Sequence, residues 1–212
     1  MNQTEKAYLY IRERILEGHY QPAEKLVESQ LADVIGVSRN TIKKALLELE
    51  KEQLVEIEIN KGAKIKSFSM DEVINYLEIR EVVEGLIIRS SAERISNDDL
   101  RKLHEILNKM EREIRERELE KHPKLNQEFH NIINKASKNT QAVKLVTTIK
   151  TQLIRHSFKI ILVPGRDKDT IIEHKQIYEA LEKHNPDDAE KAIKKHIQSV
   201  RNIIFKYFNY LR

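Results

Sequence analysis

The stretch Leu31-Ala32-Asp33-Val34-Ile35-Gly36-Val37-Ser38-Arg39-Asn40-Thr41-Ile42-Lys43-Lys44-Ala45-Leu46 decides the fold of the N-terminal part of the chain. Leu31, Val34 and Ile35 recur at helical spacing and predict the inward face of a short helix over Glu28–Ile35. Gly36 breaks that helix, because glycine enters the left-handed region at little cost. Ser38 is a capping residue. Ile42, Ala45, Leu46 and Leu49 then share one face of the next helix. Only Gly36-Val37-Ser38 separates the two, which is the spacing of a helix-turn-helix.

Upstream, Thr4 is positioned to cap a first helix with Tyr8, Ile11 and Ile15 at helical spacing, ending at Gly18 and the turn Gln21-Pro22. Downstream the period changes to two. Val55, Ile57 and Ile59 alternate with Glu56 and Glu58, Asn60-Lys61-Gly62 supplies turn residues, and Ala63 and Ile65 alternate with Lys64 and Lys66. Three helices followed by a hairpin predict a winged helix-turn-helix domain over residues 1–68.

From residue 69 the pattern is helical throughout. Ser69-Met70-Asp71-Glu72 opens a helix as a capping box, and Ser96-Asn97-Asp98-Asp99 opens a second. Pro123 suits the start of a third, Lys138-Asn139-Thr140 separates it from a fourth, and the fourth stops before Pro164-Gly165. A fifth spans about Lys168–Lys183, and Asn185-Pro186-Asp187-Asp188 starts a sixth. The expectation for residues 69–212 is an all-α six-helix bundle carrying effector, metal and dimer contacts. The fold class is mostly α.

Composition narrows the function. Forty percent hydrophobic residues support a packed core, and five Gly with four Pro argue against a chain of many tight turns. Absence of Cys removes thiol catalysis and thiolate metal sites. No apolar run reaches the about 20 residues that a membrane helix needs, so no membrane partner and a cytoplasmic location are expected. The net charge of +4 says little, since residues 1–69 carry eleven basic and eleven acidic side chains. Distribution says more. Ser38 to Lys44 holds three positive charges and no acid, at the start of the helix that enters the major groove in helix-turn-helix proteins. Arg39 can reach guanine bidentately, Asn40 can read adenine or bind phosphate, and Ser38 and Thr41 can bond phosphate oxygens. Lys43 and Lys44 add charge to this helix, and Lys61, Gly62, Lys64 and Lys66 lie in an acid-free stretch of the wing. These residues are the candidate contacts to double-stranded DNA.

Residues 7–68 resemble the DNA-binding domain of GntR-type transcriptional regulators. The resemblance rests on Ile15-Leu16-Glu17-Gly18, Gln21-Pro22, Leu31 to Arg39, Lys43-Lys44-Ala45-Leu46 and Lys61-Gly62. It implies a homodimer on a short palindromic operator. Ala23 stands where the family usually has Gly, and Thr41 and Lys43 stand where Pro and Arg are common.

Of eight histidines, three fall on apolar helix faces. His130 lies one turn after Asn126, His174 shares its face with Ile177 and Leu181, and His196 with Ile193, Val200 and Ile203. Each buried imidazole needs a polar partner, and one divalent cation serves all three. Residues 70–212 resemble the helical effector domain of the FadR subfamily, through Glu78-Ile79-Arg80 with Glu84, Asn126 to His130, Ala136-Ser137-Lys138-Asn139, Glu173-His174 and Asp188-Ala189 leading to His196. That resemblance implies a metal set of His130, His174 and His196, with Asn126 where metal-binding members carry Asp. The ion expected is zinc, with nickel, manganese or copper as alternatives. It further implies a carboxylate effector near the ion, contacted by Arg80, Arg155 and Asn139, although Glu84 lies four residues from Arg80 and offers it an ordinary salt bridge. The reading is a non-enzymatic regulator, a repressor. Two alternatives use the same histidines: a metal sensor whose signal is the ion itself, and a metal-dependent hydrolase, for which Glu128 and Glu173 flank the histidines rather than face the water that a general base must reach.

Overall fold

A computed structural model describes residues 1–58, 61–116, 122–160 and 163–211, with side chains of 154–159 and 209–211 outside the description. The chain divides into two compact units, Met1–Ser69 and Met70–Leu211. No helix among the described residues is long and apolar enough to cross a membrane.

In the first unit, α1 (Gln3–Leu16) is capped by Asn2, whose side chain accepts from the Glu5 amide, and not by Thr4. It closes as a Schellman turn: Gly18 (φ +78°) donates to the Ile15 carbonyl, and His19 donates to that of Arg14. Helices α2 (Glu28–Ile35) and α3 (Arg39–Lys51) are joined through Gly36 in the left-handed region (φ +75°). Ser38 caps α3 by accepting from the Thr41 amide at 3.1 Å. The core gathers Ala7, Ile11 and Ile15 of α1, Leu31, Ala32 and Ile35 of α2, and Ile42, Ala45, Leu46 and Leu49 of α3. Val34 is 67% exposed, contrary to its expected inward place. Ala32, not Val34, falls on the arc shared by Leu31 and Ile35.

The sheet has one strand more than the hairpin. Strands β1 (Lys25–Leu26), β2 (Val55–Glu58) and β3 (Gly62–Ile65) pair antiparallel in the order β1-β3-β2. Two residues are too few to show an alternation, so β1 left no periodic signal. Its approach depends on Ala23, which takes φ +61° where glycine would sit without strain and donates its amide to the Ile65 carbonyl at 3.0 Å. Ile59 and Asn60, read as hairpin residues, lie outside the described residues.

The second unit holds six helices among the described residues: α4 (Met70–Ala92), α5 (Asn97–Glu116), α6 (His122–Ser137), α7 (Thr140–Ile160), α8 (Arg166–Glu182) and α9 (Pro186–Leu211). α4 packs on α6, α7 and α9, α8 packs on α9, and α5 supports α6 and α8. Gly85 lets α4 approach α9, since a Cβ there would stand 3.0 Å from Lys194 Cε. Thus α4, α6, α8 and α9 turn their inner faces on one region of the core, and that region is polar.

Candidate metal centre and nucleic-acid interface

His130 on α6, His174 on α8 and His196 on α9 are all buried, and one ring nitrogen of each lies within 4.8 Å of the others. A point among three atoms so spaced lies within about 2.8 Å of each, so a small inward shift of the rings would bring all three to a nitrogen–zinc bond of about 2.1 Å. The rings stand edge to face, with centroids 5.0 Å apart for His174 and His196 and 5.3 Å for His130 and His174. Phe129 closes the apolar side, 4.7 Å from the His174 ring.

Tautomers follow from the outer hydrogen bonds. His174 Nδ1 donates to the Thr170 carbonyl at 2.7 Å, so Nε2 keeps its lone pair. That lone pair faces Asn126 Oδ1 at 2.9 Å. Two acceptors so placed suit a shared cation, to which Asn126 Oδ1 would be a fourth donor. His196 Nδ1 donates to Glu173 Oε2 at 2.7 Å, which leaves its Nε2 free to ligate. His130 Nε2 is buried without a hydrogen-bond partner. An orphaned buried nitrogen, a lone pair facing an amide oxygen and a carboxylate-anchored imidazole are what a histidine-held cation requires. Burial depresses the proton affinity of all three rings, strongly for His130 and His174, so they offer neutral nitrogens.

Sequence reasoning missed the ring of residues behind the ligands. Glu173 fixes His196 and is itself held by Arg166, at 2.7 Å. Burial alone would raise its carboxyl, but hydrogen bonds from His196 and Arg166 outweigh that and hold it at about 2. Both its oxygens are engaged, so it is not placed as a hydrolytic base. The clue was available: Arg166 and Glu173 sit seven residues apart, on one face of α8. Replacing Glu173 with Gln removes the anchoring charge from His196, and metal affinity is expected to fall about 10- to 100-fold by competition against a chromophoric chelator. His122, outside the three histidines that helical spacing places on apolar faces, is also buried, with neither ring nitrogen partnered.

Arg80 makes the salt bridge that its spacing offered: its Nε donates to Glu84 Oε1 at 2.5 Å, and both are buried. Lys150 of α7 joins the same oxygen at 3.1 Å, and Glu84 Oε2 lies 4.0 Å from His130 Nδ1. Burial opposes ionisation of Glu84, but Arg80 and Lys150 prevail and hold it at about 2. A carboxyl so depressed stabilises the fold fully above its unfolded value of about 4.3, and loses that contribution as pH falls toward 2. In chelator, Glu84→Gln is expected to flatten the acid limb of stability below about pH 4.5, over which the native carboxylate loses a contribution of up to roughly 3 kcal/mol, read by urea unfolding at several pH values. Asn139 is not brought to the histidines by any recorded contact. It caps α7, its Oδ1 accepting from the Ala142 amide at 3.1 Å. The Arg155 side chain lies outside the described residues.

In the first unit Ser38, Arg39 and Asn40 are exposed at the start of α3, with Lys43 and Lys44 a turn later. Among the described residues Arg39 and Lys44 have no ion pair, and Lys43 has only Glu28 at 3.9 Å. The Ser38 and Thr41 hydroxyls bond each other at 2.8 Å. The wing corrects the expectation of an acid-free basic edge. Register pairs Glu56 with Lys64 and Glu58 with Gly62, so acids remote in sequence become neighbours. Glu58 binds Lys64 closely and Lys61 at 3.0 Å, and Glu56 lies 3.5 Å from Lys64. Hydrogen bonds from Lys64 and Lys61 hold the Glu58 carboxyl at about 2. Lys61 and Lys64 are therefore drawn to Glu58 in competition with phosphate. Glu58→Gln is expected to strengthen duplex binding several-fold and steepen its log–log salt dependence by about 1–2, measured by fluorescence anisotropy.

Comparison with known proteins agrees with both halves. Residues 3–65 match the family described as bacterial regulatory proteins, gntR family, and residues 75–199 match the FCD domain. The chain is 28% identical over 192 residues to the uncharacterized HTH-type transcriptional regulator YdhC of Bacillus subtilis, covering 89% of this chain and 85% of that one. It is 22% identical over 197 residues to the HTH-type transcriptional repressor RspR of Escherichia coli, covering 93% and 86%. The fold matches E. coli McbR/YncC with a TM-score of 0.78 at 16% identity, over 99% of each chain. With a helix-turn-helix unit and a helical unit each matched over most of its length, this chain belongs to the GntR family of bacterial transcriptional regulators, in the branch that carries an FCD domain.

Proposed function

We propose that the protein is a cytoplasmic repressor that binds a palindromic operator as a homodimer, with operator affinity set by a carboxylate effector at a divalent metal, zinc first. The convergence of three buried imidazoles from three helices, one with an unpartnered nitrogen, carries this reading. His130, His174, His196 and Asn126 would hold the ion. Bound there, the ion supplies Lewis-acid positions that a carboxylate can fill. Ser38, Arg39, Asn40, Thr41, Lys43 and Lys44 face the duplex, joined by Lys61, Gly62 and Lys64 when the wing lysines exchange Glu58 for phosphate. Arg80 and Arg155 contact the effector, with Asn139 at the edge of the site. An apolar stripe on α4 supports the homodimer: Ile79, Val82 and Leu86 are exposed at helical spacing, and Leu145 is exposed on the adjoining α7. A two-fold dimer reads a two-fold operator. An effector alters operator affinity only by the difference in its affinity for the DNA-bound and free arrangements.

The test is selection from random duplexes with zinc-loaded and chelator-treated protein, followed by titration of salt and organic acids. A symmetric site, steep loss of affinity with salt and release by an acid only when zinc is bound are expected. Release by chelation alone would make the ion itself the signal. Absence of a preferred duplex would overturn the regulatory reading.

A further inference from the structure

The metal centre is unusual in charge, and the charge specifies its ligand. Every donor facing the ion position is neutral: His174 and His196, each with Nδ1 bonded outward and Nε2 turned to the site, His130 with its unpartnered Nε2, and the amide oxygen of Asn126. An Asp at 126 would supply a negative charge to the ion; Asn supplies none. Among the described residues, the ionised groups around these donors are Glu84, Arg80 and Lys150 on one side and Glu173 with Arg166 on the other. Both carboxylates are already shared with cations. Glu173 is bound by Arg166, and a single oxygen of Glu84 serves both Arg80 and Lys150. Three cations against two carboxylates leave one positive charge in excess, and a divalent ion raises the excess to three. Uncompensated charge in a buried region is costly, so a ligand that brings opposite charge is selected by that cost.

Resting on the metal-and-carboxylate reading above, we infer that the effector is a di- or tricarboxylate, with one carboxylate on the ion and a second paired with Lys150. A monocarboxylate leaves most of the excess uncompensated. Lys150 is the surplus cation of its cluster, since Arg80 alone suffices for Glu84. Its side chain is also 30% exposed, against 9% for Arg80, so of the two it is the more open to a second carboxylate of the ligand.

The experiment uses the full-length, zinc-loaded protein and a matched series: butyrate, succinamate, succinate and tricarballylate, titrated by calorimetry at about 0.1 M salt. Succinate is expected to bind at least tenfold more tightly than succinamate, which has its length and polarity but one charge, and butyrate is expected to bind no better than succinamate. Lys150→Met should bring succinate within about threefold of succinamate with zinc bound no more weakly, and Lys150→Arg should restore the gap. Asn126→Asp should tighten zinc and narrow the same gap. Equal binding of succinate and succinamate by the parent protein overturns the inference and leaves a carboxylate effector standing. Zinc uptake with no carboxylate binding overturns the effector reading and the inference together.

Discussion

His174→Ala is expected to remove tight metal binding, lowering zinc affinity on the order of 100-fold or more. The fully buried His174 ring presents Nε2 to the site while Thr170 fixes its other nitrogen, so no neighbour can substitute for it. Saturating zinc at about a hundred times its Kd stabilises the parent by about 2.7 kcal/mol, a rise in Tm of roughly 5–10 °C for a chain of this size. That increment should vanish in the variant. A separate loss of about 2–4 kcal/mol is expected without metal, because the Phe129 ring packed at 4.7 Å then borders a cavity. Elemental analysis after dialysis separates the two effects. A variant that keeps one tightly held ion per chain would sink the assignment of these ligands.

Arg39→Ala is expected to weaken operator binding by about 1–3 kcal/mol, or roughly 5- to 150-fold, and to relax base preference at one position of each half-site. Arg39 opens α3 as an exposed guanidinium with no recorded ion pair, so its removal costs no internal contact. Lys44→Ala should weaken all duplexes alike and reduce the salt slope by about 1. Binding curves on the selected site and on single-base variants, at several salt concentrations, tell these apart. If Arg39→Ala weakens every duplex equally, Arg39 is a phosphate contact and the bases are read elsewhere.

Much of the architecture was legible because its causes are local. Gly36 and Ser38 mark a helix end and a helix start with only three residues between the helices, and the alternation from Val55 to Glu58 continues in Ala63 and Ile65. The histidines were legible as inward-facing because their apolar neighbours recur with the helical period. Val34 shows the limit of such reading. Two arcs of a short helix were open to it, and the packing of α2 on α3 chose Ala32 for the core.

The amino-acid sequence by itself determined the order of the helices and the hairpin, the division between a duplex-binding unit and a helical unit, and the inward turn of His130, His174 and His196, though not β1 or the buried His122. Only the tertiary structure decided what each charged or ligating group meets: Asn126 on His174 across 48 residues, Glu173 on His196 across 23, Lys150 added to Arg80 and Glu84, and Glu58 on the wing lysines. Periodicity assigns a side chain to a face. The height at which that face meets another helix, and the strand register that sets an acid beside a lysine, follow from how the whole core packs.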